Sequence, residues 1–397
     1  MLDNLKSKLF GFINKNLQFT KHGKKIDLLI IDDTMPDIYS GFKIQEFEGY
    51  SKKINTRVIC DLACFNDNDE RKNYDFLLQE FNKLHPDSKI IFNPLRLNTS
   101  INTKLAYCIF FNNISRYYNV FEKYNIDFAY TLYPGGGFNI DSPKVKEILK
   151  KINSSKNFKY LIVNQKISKE FLLENKLCPE DKIYYIHGTP IDYSYINTIE
   201  NKKWFSIHKK TFDIAFIAHK YSPKGTDKGL DIVIDALDKL AEKYDFLNLH
   251  IIGNFTEKDI KQKNNKWICH FYDTKPLSYF SSFFTNIDAL VSPNRPNVLG
   301  KGFFDGFPLA SSVMAGLHGV PMLLSDELKE NYFLEDKEDF ILVKPNGKSV
   351  NDGIELLIKN PGKIPKIGLS GKGKLEIIHS HDKQIGERVE LIRNTIF

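Results

Sequence analysis

FDGFPLASSVMAGLHGVP, residues 304–321, is the stretch whose reading decides the fold. It is an acidic, aromatic turn punctuated by Gly306 and Pro308, and it leads into an apolar helical pattern that starts near Ser311 or Ser312. Upstream, NIDALVSPN (286–294) is a short apolar run of the kind that forms a buried strand, and Pro293, Asn294, Pro296 and Asn297 forbid its continuation. Downstream, GVPMLLSDE (319–327) has the pattern of another buried strand. Strand, loop, helix and strand make one crossover unit of a parallel sheet, whose ligands sit at the carboxyl ends of the strands. The loop thus carries a candidate site at Asp305, Gly306 and Phe307, with the free amides of the following helix directed back at whatever it holds.

The same alternation extends in both directions. KKIDLLIIDDTMP (24–36) predicts a buried strand, and SGFKIQEFEGYS (40–51) a helix capped by Ser40. Asp32 and Asp33, at the strand end, read as turn residues. Further apolar runs alternate with helix-like segments up to IDFAYTLYPGGGFNID (126–141), where Gly135, Gly136 and Gly137 interrupt a strand. Those glycines either bring the backbone close to an anion or form a plain flexible turn. KIYYIHGTPID (182–192) ends a strand at Gly188 and Pro190, which places a linker at about 188–205. The pattern then restarts: FDIAFIAHKYSPKGTDKGLDIVIDALDKLAEKY is a strand, a basic loop and a long helix, followed by LNLHIIGNF, a strand ending at Gly253. Alternating strands and helices define an α/β protein.

With 397 residues the chain is long enough for two cores. A charged fraction of 26% and a hydrophobic fraction of 42% fit a globular protein and exclude extended disorder. No apolar run reaches the roughly 18 to 20 residues that span a bilayer, and the first residues lack the apolar core and cleavage site of a secretory signal. Apolar positions among Lys6, Lys8 and Lys15 make residues 2–17 an amphipathic basic helix, which either lies on an anionic membrane or packs on its own domain. The net charge of +7 suits an anionic ligand, without the basic stripe of a nucleic-acid binder. The five cysteines show no metal spacing and read as buried thiols. No paired hydrolase carboxylates, G-x-S-x-G elbow or H-E-x-x-H site is present.

The stretch at 304–321 resembles the donor-binding signature of retaining GT-B glycosyltransferases, in particular the family 4 sugar transferases of bacterial polysaccharide assembly. It shares an acid before GFP and the run A-G-L-H-G-V-P. It departs from them at Met314, where the family has a Glu that holds the nucleotide ribose. The resemblance is strong from Phe212 to about Asp326 and weak in the first half. It implies two Rossmann-like domains facing each other across a cleft: 1–190 on the acceptor side, 191–380 on the donor side, and 381–397 as a helix returning to the first domain.

The resemblance also implies a chemistry. The donor is a nucleotide sugar, the acceptor a glycan or lipid-linked glycan, and neither a metal nor a separate cofactor takes part. Lys220 and Lys228, with Lys224 between them, are the cations for the diphosphate, and Asp305 meets the sugar hydroxyls. Gly253, Asn294, Gly306, Phe307 and Met314 complete the nucleotide-sugar site, while Ser40 and Gly41 match the small-residue turn that faces the acceptor or donor phosphates; Gly135, Gly136 and Gly137 join the substrate side if their amides cradle an anion rather than form a plain turn. In that family the leaving phosphate is thought to deprotonate the acceptor in a front-side displacement, so a protein base is not expected. His187 and His219 lie at cleft ends of strands, where a structural role is the ordinary one. The implied location is cytoplasmic, with residues 1–20 offering peripheral membrane contact. The alternative is a non-catalytic GT-B protein that binds a sugar or nucleotide sugar within a polysaccharide assembly complex; donor turnover separates the two.

Overall fold

The apolar runs become strands of two parallel sheets in the computed structural model, which describes residues 19–65, 73–96, 98–196 and 201–397. The basic amphipathic segment at 2–17 lies outside the described residues. The first sheet contains β1 (Ile26–Asp32), β2 (Thr56–Cys60), β3 (Ile91–Pro94), β4 (Thr103–Ile109), β5 (Asp127–Leu132), β6 (Phe158–Val163) and β7 (Ile183–Tyr185), in the order β3-β2-β1-β4-β5-β6-β7. The second contains β8 (Phe212–Ile217), β9 (Leu247–Ile252), β10 (Ile268–Tyr272), β11 (Ala289–Ser292), β12 (Met322–Leu324) and β13 (Ile341–Leu342), in the order β10-β9-β8-β11-β12-β13. Strand order reverses between β1 and β4 and again between β8 and β11. Each reversal opens a crevice at the carboxyl ends of the strands, and both candidate cavities lie there.

Helices cover both faces of the first sheet, so its strands read as nearly continuous apolar runs. Alternation still sorts the side chains: Leu28 and Ile30 of β1 join one hydrophobic cluster, while Leu29 and Ile31 join the cluster on the opposite face. The first of these clusters continues through Phe307, Met314 and Leu317 to Ile385 and Ile392. Residues from both sheets therefore share one core.

The expectation of buried thiols holds for Cys60, Cys108 and Cys178 and fails for Cys64, which is exposed. After β2 the chain leaves the sheet in the turn Leu62–Cys64, which carries this thiol to the surface.

The last segment crosses the molecule. Helix Lys363–Ile378 is followed by a π turn, Asp382–Gly386, and by helix Glu387–Ile396, which packs against helix Gly41–Lys53 and β4. Gly49 lets the segments approach, because a side chain there would run into Ile385. Arg388 and Glu46 meet at this crossing, both wholly buried, with Arg388 Nε 4.0 Å from Glu46 Oε1. Tyr50 and Tyr133 each donate to Glu46 at 2.7 Å, and Arg388 donates to the Tyr133 hydroxyl at 3.2 Å. Burial works against the Arg388 charge, and Tyr133 and Glu46 outweigh it to raise the guanidinium pKa above its ordinary value. Removing one partner of a buried pair strands the other charge. Arg388→Met is expected to lower the unfolding free energy in urea by about 3 to 5 kcal/mol; adding Glu46→Gln should recover part of that loss. A variant as stable as the parent would show that the pair does not hold the crossing.

Candidate active site

The cleft between the sheets is built around Lys228. The loop after β8 ends at Lys228, and Gly229, in the left-handed region (φ 77°), turns the chain into helix Leu230–Leu240. The Lys228 ammonium is nearly buried and is held by Asp305 at 2.6 and 2.8 Å to its two carboxylate oxygens. Asp227 stands 3.6 Å away, and the Tyr221 ring lies 5.2 Å from the ammonium. Two loops 77 residues apart are thus joined at one charge. Arg295 fastens them a second time, donating to the Thr226 carbonyl and to Asp231 at 2.7 Å.

Lys228, Asp305, Gly253, Met314 and Gly41 line one cavity of about 360 Å³. Ile217, Ile252, Leu277, Phe280 and Leu309 make most of its wall apolar, and Ala310 and Ser311, the first residues of helix Ala310–Leu317, close one side. Met314 belongs to this wall and to the shared core at once, with 7% of its surface exposed. Gly253 (φ 139°) is required here, since any side chain would strike the Ala218 carbonyl. Asn294, Gly306 and Phe307 line a small adjoining pocket that shares Asp305.

Two expected phosphate cations stand outside these linings. Lys220 points to Asp259, whose oxygens it meets at 2.7 and 2.8 Å. Lys224 is exposed, in a left-handed turn (φ 57°).

A second cavity, of about 690 Å³, lies at the β1/β4 reversal and is lined by Asp33, Asp37, Ser40, Lys43, Phe110 and Gly136 among others. Ser40 precedes helix Gly41–Lys53 but makes no capping bond through its side chain. Gly41 carries no side chain where Leu277 of the second half presses in. All three residues of the glycine run have positive φ. The run is a fixed turn: Gly136 accepts from the Asn112 amide at 2.9 Å, and Gly135 from the Phe138 amide at 2.9 Å. Gly136 reaches the cavity lining, and Gly135 and Gly137 do not.

Two further residues shape the site and were not legible in the sequence. Gln165, at the end of the β6 loop, accepts from the Phe307 amide at 2.8 Å and so holds the Asp305–Phe307 loop from the other half of the chain. Glu330 accepts from the amides of Lys166 and Ile167 at 2.6 and 2.7 Å, capping helix Lys166–Glu174 across the same boundary. Burial raises the Glu330 pKa above its ordinary value, and the two amide bonds offset part of that rise. Both contacts join residues more than 140 positions apart, beyond any local pattern.

No family model matches the chain, and no curated protein matches it by sequence. Solved structures do match its fold. A glycosyltransferase from Rickettsia africae superposes with a TM-score of 0.67 at 14% identity, covering 94% of this chain and 99% of that one. Anabaena HepE in complex with UDP-glucose gives 0.63 at 14% identity over 93% and 99%. The sucrose-phosphate synthase of Thermosynechococcus elongatus gives 0.62 at 10% identity over 93% and 99%. The chain has the GT-B fold of these glycosyltransferases: two Rossmann-like α/β halves across a cleft.

The two conspicuous histidines part company. His219 lines both cavities. His187 is buried between the rings of Tyr332 and Phe333, at 4.9 and 5.0 Å, with its Nδ1 3.1 Å from the Tyr185 hydroxyl. Burial pushes its imidazole down to about 3, aided by His379, which burial itself lowers to about 4. Both rings are therefore neutral when folded and bind a proton first in the unfolded chain, near pH 6.5. Stability is complete above that pH and falls as the pH drops toward 4, by about 1.4 kcal/mol per unit for each ring. Melting curves from pH 7 to 4.5 should show this decline, with a shallower slope for His187→Gln. Equal slopes would separate His187 from the acid response.

Proposed function

We propose that the protein is a glycosyltransferase that moves a sugar from a nucleotide-sugar donor to a glycan or lipid-linked glycan acceptor, with retention and without a metal. The observation that carries this reading is the Lys228–Asp305 pair in the wall of the interdomain cleft, where a cation and a hydroxyl acceptor stand together beside a helix amino end. Residues 1–190 would present the acceptor, 191–380 the donor, and 381–397 tie the two together. Among the described residues no helix is long and apolar enough to cross a membrane; we place the enzyme in the cytoplasm, with the basic, amphipathic sequence of residues 1–20 suited to an anionic membrane surface.

The chemistry follows from charge. As the glycosidic bond breaks, negative charge accumulates on the diphosphate, and a positioned cation in a site sheltered from water stabilises it. Lys228 supplies that cation. Without a ligand Asp305 satisfies it, and an arriving diphosphate takes over part of that contact, freeing carboxylate oxygen for the sugar hydroxyls. The backbone at Gly253, Ala310 and Ser311 can approach the phosphates closely. The acceptor would enter through the 690 Å³ cavity, whose lining includes Phe42, Phe110, Asp33 and Asp37. The leaving phosphate would take the acceptor proton, so Asp305 and Lys228 position and stabilise.

A second reading, a non-catalytic GT-B protein that binds a nucleotide sugar, draws on Met314, which cannot accept from a ribose hydroxyl as a carboxylate does. Turnover decides between them: a melting-temperature screen over nucleotide diphosphates and nucleotide sugars identifies the donor, and release of nucleoside diphosphate is then followed with a glycan acceptor. Stabilisation without release would favour the binding protein, and no stabilisation by any member would sink both readings. Lys228→Ala should weaken binding of the nucleoside diphosphate by about 2 to 3 kcal/mol, the loss of a charge-assisted contact. Unchanged affinity in a folded variant would remove Lys228 from the site.

A further inference from the structure

Asp192 lines the 360 Å³ cavity with 4% of its surface exposed. Its Oδ1 accepts from the Ser194 amide at 3.0 Å and from the Ser194 hydroxyl, closing the turn Tyr193–Tyr195. Its Oδ2 is buried and has no hydrogen-bond partner among the described residues. A carboxylate oxygen withdrawn from water without a donor is costly, and a ligand that brings a donor removes that cost.

The position of the turn gives the orphan oxygen its meaning. The His318 imidazole lies 2.8 Å from the Met314 carbonyl and 3.0 Å from the Tyr195 carbonyl, which pins the turn against the helix that carries Met314. His318 follows Met314 by one helical turn, so the two share a face. The Ser281 hydroxyl, from helix Leu277–Phe283, donates to the same Tyr195 carbonyl. Asp192, Met314, Leu277 and Phe280 line the same cavity, and the turn that follows Asp192 is bonded to the segments that carry Met314 and Leu277. The other carboxylate in this wall that the donor reading uses, Asp305, has both oxygens engaged by Lys228, and what an arriving diphosphate frees of it goes to the sugar hydroxyls on that reading.

We infer that Asp192 supplies, from the interdomain segment, the carboxylate that the donor-side helix lacks at Met314, accepting a hydrogen bond from a ribose hydroxyl of the bound nucleotide. This rests on the donor-site reading of the cleft. With the diphosphate at Lys228, the nucleoside lies along the apolar wall, and its vicinal hydroxyls are the donors that a buried acceptor there can use. Asp192 is then a nucleotide-selectivity residue, and the ligand class is a ribonucleoside diphosphate in preference to its deoxy counterparts.

Isothermal titration of the full chain with UDP, 2′-deoxy-UDP and 2′,3′-dideoxy-UDP tests this. The parent protein is expected to bind UDP at least about tenfold more tightly than the dideoxy ligand. Asp192→Asn keeps the oxygen that closes the turn and replaces the orphan one by an amide, and Asp192→Ala removes both. Each should shrink the ratio to about twofold or less, and taking the ratio cancels any loss that the missing turn bond imposes on all three ligands alike. Equal affinities for all three ligands in the parent overturn the inference and leave the donor site standing, and so does a variant that retains the parent's ratio. Failure of all three to bind the parent overturns the inference for a uridine ligand, and it overturns the donor-site reading as well when the melting screen finds no other nucleoside diphosphate that binds. The parent comparison needs no variant, and melting curves show whether each substituted chain is folded.

Discussion

A lysine ammonium that is nearly buried has to be neutralised where it stands, and in this protein Asp305 does so for Lys228. Withdrawing either charge from water alone would cost several kcal/mol, whereas a bidentate pair returns much of that through Coulomb attraction and two hydrogen bonds. The pairing has geometric consequences. It holds the loop after β8 against the loop after β11, across the strand reversal of the second sheet, and sets Asp305 five residues before the helix Ala310–Leu317 begins. A cation, a carboxylate and free helix amides are thereby brought together at the place where a parallel sheet leaves a crevice.

The loop that carries Asp305 does not depend on its own half alone. Gln165 grips the Phe307 backbone, and Glu330 caps a helix of the first half. Gly302 accepts from the Ile140 amide at 3.1 Å, while Phe304 lies edge-on to Phe138 at 5.9 Å. Together with the Arg388–Glu46 crossing, these contacts couple the geometry of Asp305 to the relative placement of the two sheets. A change in that placement would move the carboxylate as well as the cleft walls.

The apolar character of the cleft has a similar origin. Met314, Val313 and Leu317 belong to the core that the two halves share, so the helix buries most of itself and leaves only part of Met314 to the cavity. Met314 offers the cavity no carboxylate acceptor, and on the proposed reading polar recognition comes from elsewhere in the wall. The turn at Asp192 meets that need, since its own backbone uses only one of the two carboxylate oxygens.

The sequence by itself determined the alternation of strands and helices, the two-sheet α/β class and the crossover at 286–327. These are local matters: buried parallel strands require unbroken apolar runs, helices require their own period, and a loop after such a strand faces the ligand side. Tertiary structure decided which of the expected cations line the cleft. Lys220 and Lys228 look alike in the chain, and only the fold places Asp259 beside one and the cleft beside the other. It also turned the glycine run at 135–137 into a fixed turn and recruited Gln165, Glu330 and Asp192. Those roles arise from partners brought together by sheet order and by the crossing of the C-terminal helix, and hydrogen bonds spanning so much of the chain leave no periodic trace in sequence.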